Sequence, residues 1–570
     1  MKNGKAFCGK ILIGAAIFGM MVTNVSIPSG FGTETVYAAW EKKYEVNGNV
    51  LQLKPDMIRE YGIATCIREA GAYVAERADE TTKYTIKVPA GTYDLESTIP
   101  LGSYVKLDLK DVTLVSQAHT GNMLVLDWSH DTKGYGDETE GNSEVSGGTF
   151  IGNNGNTSSM IRMAHAKNIT FDGCTFVGGG CAHQMEVASI DGFVVKNCVF
   201  RDAKGNGTQE KQEALQIDIP CSQYVFKSVE LDGTPMKNVT VTGCTFKNVL
   251  RGLGTHSMLV GVYHENMNIT NNTFENVDGE CIVGLNYRNC KITGNTIKNC
   301  GAGILFQNFK PNAKAVYATI YDGKQKINKS VNNKANVTIS NNTISLSNKK
   351  HPDEEVGIKV YGYELKKNTK ATGIGSKDVI PKGDYCVDGV TIKKNVIRTT
   401  GHGIHLLHVS NANVEENTIT NTNKKSQKDG IFVEFGSKNL IIKRNKILDA
   451  GRYGIFMKDE SIVKKITKNT IKGAGSFGIG LYEGSQVTGE ISANVISNTK
   501  GHGISVSKKC FVKTILKNTV KGCKDYPIFI NTTSKKKMIV KGNKLQAGKN
   551  KKKIVVLDGK VKLLWKQEIK

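Results

Sequence analysis

Proline is scarce, 10 residues in 570, which argues against a modular chain joined by proline-rich linkers. No two cysteines are spaced as a CxxC pair, so a zinc ribbon or finger is excluded. Beyond the N-terminal region no apolar run is long enough to cross a bilayer, and no C-terminal anchor is expected. Neither the Leu-x-x-Leu-x-Leu spacing of a leucine-rich solenoid nor the Trp-Asp marks of a propeller blade occur. Helical periodicity is equally rare: only 54–79 (KPDMIREYGIATCIREAGAYVAERAD) repeats apolar residues at three-to-four spacing.

What is present begins with a leader. Lys2, Lys5 and Lys10 surround the start of an apolar run from Ile11 to Val22, and Val36-Tyr37-Ala38 forms a small-residue cleavage site before Ala39. A secretory signal over 1–38 is expected, leaving an extracellular or cell-wall-associated protein. The net charge is +25, but it is uneven: 40–300 carries roughly −7 and 301–570 about +30. Such a basic half attracts polyanions, which outside the cell means an acidic polysaccharide or another cell-wall polyanion rather than nucleic acid. Of the 13 cysteines, Cys174, Cys198 and Cys244 share one repeated position, so they read as stacked buried thiols rather than disulfide staples.

Glycine is abundant, 61 residues, and it punctuates a repeat. NITFDGCTF, NVTVTGCTF, NMNITNNTF, CKITGNTI, NVTISNNTI and GVTIKKNVI align with later copies through VTGEISANVI. The shared position falls at Gly148, Cys174, Cys198, Cys244, Asn272, Asn295, Asn342, Asn395, Asn417, Asn445, Asn469, Asn494, Asn518 and Asn543. Most intervals are about 22 to 28 residues, one three-strand coil of a parallel β-solenoid. Three intervals are roughly double and hold long loops or a degenerate coil. Stacked asparagine amides suit the turn column, because each can bond its neighbours and buried backbone. The expected organisation is a cap with an amphipathic helix over 39–80, a solenoid over 81–545 and a C-terminal cap over 546–570. The helix would cover the first open coil. The chain is expected to be a monomer.

The amphipathic helix, the Val-Pro-Ala-Gly-Thr-Tyr stretch and the asparagine-bearing coils resemble the pectate-lyase-like right-handed parallel β-helix superfamily. The resemblance spans essentially the whole chain after the leader. It implies an all-β, single-stranded right-handed parallel β-helix, and it leaves activity open among lyases, hydrolases, epimerases, tailspikes and adhesins. The polygalacturonase motifs Asn-Thr-Asp, Asp-Asp and Arg-Ile-Lys are missing. Gly-His-Gly occurs at 401–403 and 501–503, in both cases as a repeat turn. The pectate-lyase motifs Trp-Ile-Asp-His and Arg-x-Pro-x-x-Arg are also absent, and Asp127-Trp128-Ser129-His130 does not replace them.

Polar residues concentrate between Arg162 and His264. Aligning the third strand of each coil places Ile161, Met185, Leu215, Leu253, Ile282, Ile304 and Ile404 in one inward column. Because strand side chains alternate, the residues between this column and the next point outward. They are Arg162, Glu186, Gln216 and Gly254, then Val283. Two positions on stand Ala164, Ala188, Asp218 and His256, then Leu285. Coils about 4.8 Å apart bring Arg162, Glu186, Gln216, Asp218 and His256 onto one patch, where Ala164, Ala188 and Gly254 leave room for a ligand. Glu186 and Asp218 lie at a Cα separation of roughly 8 Å, which suits the acid and base of an inverting glycoside hydrolase. His256 then orients Asp218 or donates a proton. Arg162 binds a substrate carboxylate or holds Glu186 ionised. His183, Glu213, Arg251 and His264 are expected to reach the same cleft as binding residues. A uronate lyase or epimerase would use Glu186, Asp218 and Glu213 as oxygen ligands for Ca²⁺, with Arg162 or His256 moving the proton. A non-catalytic glycan-binding adhesin is the remaining alternative. His402, His405 and His408 read as surface histidines without carboxylate neighbours.

Overall fold

The computed structural model describes residues 42–126, 132–137, 139–153, 158–179, 182–203, 212–221, 229–255, 257–259, 261–311, 317–320, 323–326, 334–347, 355–365, 386–547, 552–558 and 563–566. The expected leader, 1–38, lies outside these residues, as do 127–130 and His256.

The chain enters through an antiparallel pair, Tyr44–Asn47 with Val50–Leu53. The expected single helix is two, Pro55–Tyr61 and Ile63–Ala75, parted at Gly62. Gly62 has φ +86°, and a Cβ there would fall 2.4 Å from the Glu96 side chain. Glu96 Oε1 instead accepts from the Thr65 N–H at 2.8 Å, satisfying a donor of the second helix's first turn. Ile63, Ala64, Cys66, Ile67, Ala70 and Val74 line the buried stripe of that helix and join the core at the N-terminal end. This is the end protection that an open solenoid requires.

From there the strand pairings among the described residues are parallel, apart from a small hairpin, Tyr317–Ile320 with Gly323–Lys326. Three columns fix the register. In the first, Phe150, Phe176, Phe200, Phe246 and Phe274 are successive partners, with ring centroids 4.9–5.2 Å apart. Ile297, Ile344, Ile397 and Ile419 continue it. The second is the turn column, where each asparagine Oδ1 accepts the backbone N–H and the amide of the preceding rung. The chain of bonds runs unbroken from Asn272 to Asn543. Asn295 bonds Asn342 directly and Asn342 bonds Asn395. Cys198 and Cys244 likewise flank strands paired directly, so no extra coil comes between the rungs on either side of a doubled interval. Above the asparagines, Cys174, Cys198 and Cys244 stand buried with free thiols.

The third column is the one expected from the alternation: Leu124, Ile161, Met185, Leu215, Leu253, Ile282, Ile304, Ile358 and Ile404 are partners in order. Parallel pairing also continues beyond residue 545. Ile554–Val556 pairs with Ile528–Ile530, and Leu563–Lys566 with Met538–Lys541. The described strands of the stretch expected to form the C-terminal cap thus pair with the last strands of the solenoid. All of this belongs to one unit beginning at Lys43.

Candidate functional site

Register on the third sheet pairs Glu186 with Arg162 on one side and with Gln216 on the other, and Ala188 with Asp218. Gln216 pairs with Gly254, and Gly254 with Val283. Arg162, Glu186, Gln216 and Asp218 therefore share one face on three neighbouring rungs. His256, the fifth residue of the expected patch, is outside the described residues.

Outward strand positions are normally solvated, yet these are not. Glu186 is 7% exposed, Asp218 1% and Gln216 0%. Burial demands partners. Glu186 Oε2 is 3.1 Å from Arg162 Nε and accepts the Ser159 hydroxyl at 2.8 Å. Asp218 Oδ2 accepts Gln216 Nε2–H at 3.2 Å, and Oδ1 accepts the Ile219 N–H at 2.8 Å. Gln216 Oε1 is buried and has no hydrogen-bond partner among the described residues.

The small residues do not leave an open groove. Ala164 and Ala188 pack against Val229 of the segment that follows Asp218. Thr234 O accepts the Ser189 hydroxyl at 2.8 Å, and Met236 Sδ lies 3.1 Å from Ile190 N. His165 fastens this segment to an earlier loop: Nδ1 is 2.8 Å from Gly134 O and Nε2 2.9 Å from Glu230 O. Gly134 N–H in turn donates to Asp232 Oδ2 at 2.7 Å. At Gly254 a Cβ would fall 2.6 Å from the Val283 side chain, so the missing Cβ allows close packing and opens no cavity. The expected room for a ligand is filled by the chain's own 229–236 segment. Arg162, with 19% of its side chain exposed, is the least covered of the four polar residues.

A second set of charges sits at the start of the same strands. Arg251 pairs with Glu213 in register. Its Nη1 is 3.1 Å from Glu213 Oε1 and its Nη2 is 2.8 Å from Glu280 Oε2. Burial alone would lower the Arg251 pKa, but Glu280 and Glu213 outweigh it and raise it. His183 Nδ1 lies 2.6 Å from Glu213 O. Glu280 was not foreseen, although it occupies the turn position that Glu213 and Arg251 hold on preceding rungs. His264 does not belong to this set. It is buried, accepts the Met236 N–H on Nδ1 at 3.0 Å and meets Tyr287 edge-on. Burial pushes its pKa down to about 3. It is a neutral packing residue and not a ligand-facing one.

Glu186 and Glu213 are paired with different arginines, and Asp218 is tied to Gln216. The three carboxylates thus do not converge as an oxygen cage, and no metal-binding group of His, Cys, Asp or Glu occurs among the described residues. Further along the same outward columns come Val283, Leu285 and Leu305, with Leu285 packed against Met258 and Phe309. Gln307 is the register partner of Leu285, and titratable groups return at Lys359 and His405. Here the structure corrects the expectation of surface histidines without carboxylate neighbours: His405 Nε2 is 2.7 Å from Glu434 Oε1, and Asp429 Oδ2 is 3.6 Å from His402 Nδ1.

A family model described as "Right handed beta helix region" matches residues 228–370 and 384–545. Comparison with curated proteins gives no match. Similar solved structures include PfbA, a surface adhesin of Streptococcus pneumoniae, 20% identical, with 69% of this chain and 89% of that chain covered at a TM-score of 0.45. The catalytic unit of a GH87 alpha-1,3-glucanase from Streptomyces thermodiastaticus is 12% identical, with 87% and 65% covered at a TM-score of 0.35. The A-module of the Azotobacter vinelandii mannuronan C-5 epimerase AlgE6 is 12% identical, with 81% and 94% covered at a TM-score of 0.28.

Proposed function

The chain belongs to the right-handed β-helix family, and we propose that within it the protein is secreted and cleaves an acidic polysaccharide on the outer face of its third sheet. One observation carries this reading: Glu186, Gln216 and Asp218 are buried polar groups on adjacent rungs of an outward face. Buried charge is costly and contributes little to stability compared with an apolar residue, so a polar cluster of this kind is favoured where it serves chemistry. The pair Glu186 and Asp218 is offset by one rung and two residues, a Cα separation of roughly 8 Å. Inversion at a glycosidic carbon uses an acid and a base whose carboxyl groups stand about 6.5–9.5 Å apart with a water between them. Arg162, ion-paired with Glu186 and the least covered of the four polar side chains, recognises a uronate carboxylate. Hydrolysis is favoured over Ca²⁺-assisted elimination at this place because the three candidate oxygen ligands face separate partners.

Non-catalytic glycan binding is the second reading, and the tight enclosure of Asp218 favours it. Glu186→Gln and Asp218→Asn separate the two. On polygalacturonate and polymannuronate, new reducing ends should fall by about 10²–10⁴-fold in each variant while binding persists. Binding without turnover in the parent on every acidic and neutral glycan tried would leave the adhesin reading standing.

A further inference from the structure

Away from the third sheet, the outer flank of the turn column changes character along the solenoid. The residue before each ladder position holds a left-handed backbone. Earlier coils place Asn197, Gly243, Asn271, Gly294 and Asn341 there, the residue types that adopt this conformation most readily. Later coils do not. Lys394, Glu416 and Arg444 take the position first, and Arg444 is engaged by Glu415 and Glu416 at 3.1 and 2.7 Å. Lys468 (φ +57°), Ala493 (φ +54°) and Lys517 (φ +54°) follow. Lysine has no backbone preference for such a site, so its side chain is the reason to look for. On the second strand of the same coils Lys472, Ser497 and Lys521 are register partners, with Thr470, Val495, Thr519 and Lys544 in the column between. On the first strand Lys541 follows Thr467, Ser492 and Leu516. Lys468, Lys472, Lys517, Lys521, Lys541 and Lys544 are all exposed.

Among the described residues none of these six side chains makes an ion pair or a hydrogen bond. The acids nearest to them are already engaged, Glu490 by Lys465 at 3.6 Å and Asp449 by Lys424 at 3.3 Å. The rungs bearing Lys468 with Lys472 and Lys517 with Lys521 are two steps apart, about 9.6 Å. The rung between them contributes Ala493, Val495 and Ser497, none of them charged, and Val495 is 42% exposed. Two rows of ammonium groups thus border a strip of small side chains. Like charges at this spacing repel, and a surface kept only for solubility does as well with both signs interspersed. An unrelieved array on neighbouring rungs is favoured where an anion supplies the missing counter-charge.

We propose that this lysine strip, on the flank of the asparagine turn and apart from the third-sheet face, holds a stretch of acidic polysaccharide without cleaving it. This rests on the reading of the ligand as an acidic polymer, but not on cleavage at Glu186. Charge complementarity selects a polyanion, and the strip positions hold no carboxylate or histidine that could move a proton. Every cation in the strip is a lysine, and no arginine follows Arg452 in the chain. An ammonium is a point charge without the planar fork that grips one carboxylate bidentately. The strip therefore takes successive carboxylates along a chain rather than one terminal group. Its affinity follows the number of charges engaged and is screened by salt. Together with a second contact on the third sheet it lengthens the stay of the protein on the polymer.

The test measures binding of size-defined polygalacturonate and polymannuronate to the full chain at low salt, in a Glu186→Gln background so that turnover does not consume the ligand. Lys468→Gln, Lys472→Gln, Lys517→Gln and Lys521→Gln together should weaken binding by about 10-fold or more. A control removes the same number of charges from a different edge, the turn leading from the third strand to the next coil, at the exposed Lys508, Lys509, Lys535 and Lys537. It should cost less than about 3-fold. Raising the salt should bring the unsubstituted strip level with the strip variant. If the combined variant does not fold, Lys472→Gln with Lys521→Gln, both on strand positions, should still weaken binding more than a pair from the control edge. Equal losses in strip and control variants would mean that net charge alone matters and would overturn the proposal. Binding of inorganic polyphosphate with neither uronan bound would overturn it too, assigning the strip to phosphate polymers. With Glu186 restored, release of reducing ends from trigalacturonate should be the same with and without the strip substitutions. A parent that binds polymer through the strip and releases no reducing ends overturns the cleavage reading alone, and cleavage without strip-dependent binding overturns the strip alone.

Discussion

Replacing Asn417 by alanine removes one rung from the middle of the asparagine ladder, and the structure permits the cost to be worked out. Asn417 Nδ2 donates to Ile392 O and Asn445 Oδ1, each at 2.9 Å. Its Oδ1 accepts Asn395 N–H at 3.0 Å and Asn395 Nδ2–H at 2.9 Å. The substitution deletes all four bonds. Asn395 Nδ2 keeps Ile339 O, and Asn445 Oδ1 keeps the Asn417 N–H. The Asn395 N–H and Ile392 O lose a partner in a dry interior. At about 1–3 kcal/mol for each buried group left unsatisfied, the loss is about 2–6 kcal/mol. Asn543→Ala removes the last, half-exposed rung, where water can replace the amide, and should cost no more than about 1 kcal/mol. A solenoid of this length need not unfold in one step, so the preferred assay is hydrogen exchange at the Asn395 amide. Its protection should fall by about 30-fold or more in Asn417→Ala, and a guanidinium titration should show the same ranking. Equal effects at Asn417 and Asn543, or an Asn417 effect below about 1 kcal/mol, would refute the account of the ladder as a buried hydrogen-bond chain.

Two further perturbations test the buried charges. His264 has its pKa lowered to about 3 by burial, below the ordinary value near 6.5. The unfolded chain therefore takes up the proton first. The contribution of His264 is complete above about pH 6.5 and is lost as the pH falls towards 3, at about 1.4 kcal/mol per pH unit. Melting curves between pH 7 and 4 should lose their steepness in His264→Asn relative to the parent, and an unchanged slope would remove His264 as the cause. Arg251→Met takes the guanidinium away from Glu213, whose side chain is fully buried, and should destabilise by about 3–5 kcal/mol in denaturant titration. Adding Glu213→Gln should recover most of that loss, and a failure to recover would mean the two groups are not energetically coupled.

The sheet columns were legible because a strand alternates with period two and the coil repeats with little drift, so each residue's face follows from counting. Arg162, Glu186, Gln216 and Asp218 fell on neighbouring rungs for that reason. Counting fails where the chain leaves the strands. The 229–236 segment that packs above Ala164 and Ala188 has no period, and its apolar residues Val229, Leu231 and Met236 follow neither strand nor helix spacing. Gly62 lies within a continuous helical pattern. Nothing in the spacing announces that Glu96, more than thirty residues on, occupies the place of its missing Cβ. The His405–Glu434 contact spans 29 residues across an irregular turn, so the histidines looked isolated until the rungs were in register.

The two polar clusters share a rule that follows from solenoid geometry. Arg162 with Glu186, Arg251 with Glu213 and Glu280, and His405 with Glu434 all join adjacent rungs. Neighbouring rungs are closer, at about 4.8 Å, than residues two apart on a strand, at about 6.6 Å. Neutralisation in these pairs therefore runs along the solenoid axis, each charge meeting a counterpart on the next coil. That condition is local, because each coil touches only its neighbours. A fold of this kind can carry a charged cluster on any group of rungs provided apolar rungs close it off on either side. Val283 and Leu305 place apolar side chains in one outward column between the two clusters. Exchanging Arg251 and Glu213, which keeps the pair but reverses its order against Glu280, tests the rule: like charges would then face each other at Glu280, and stability should fall although every charge is retained.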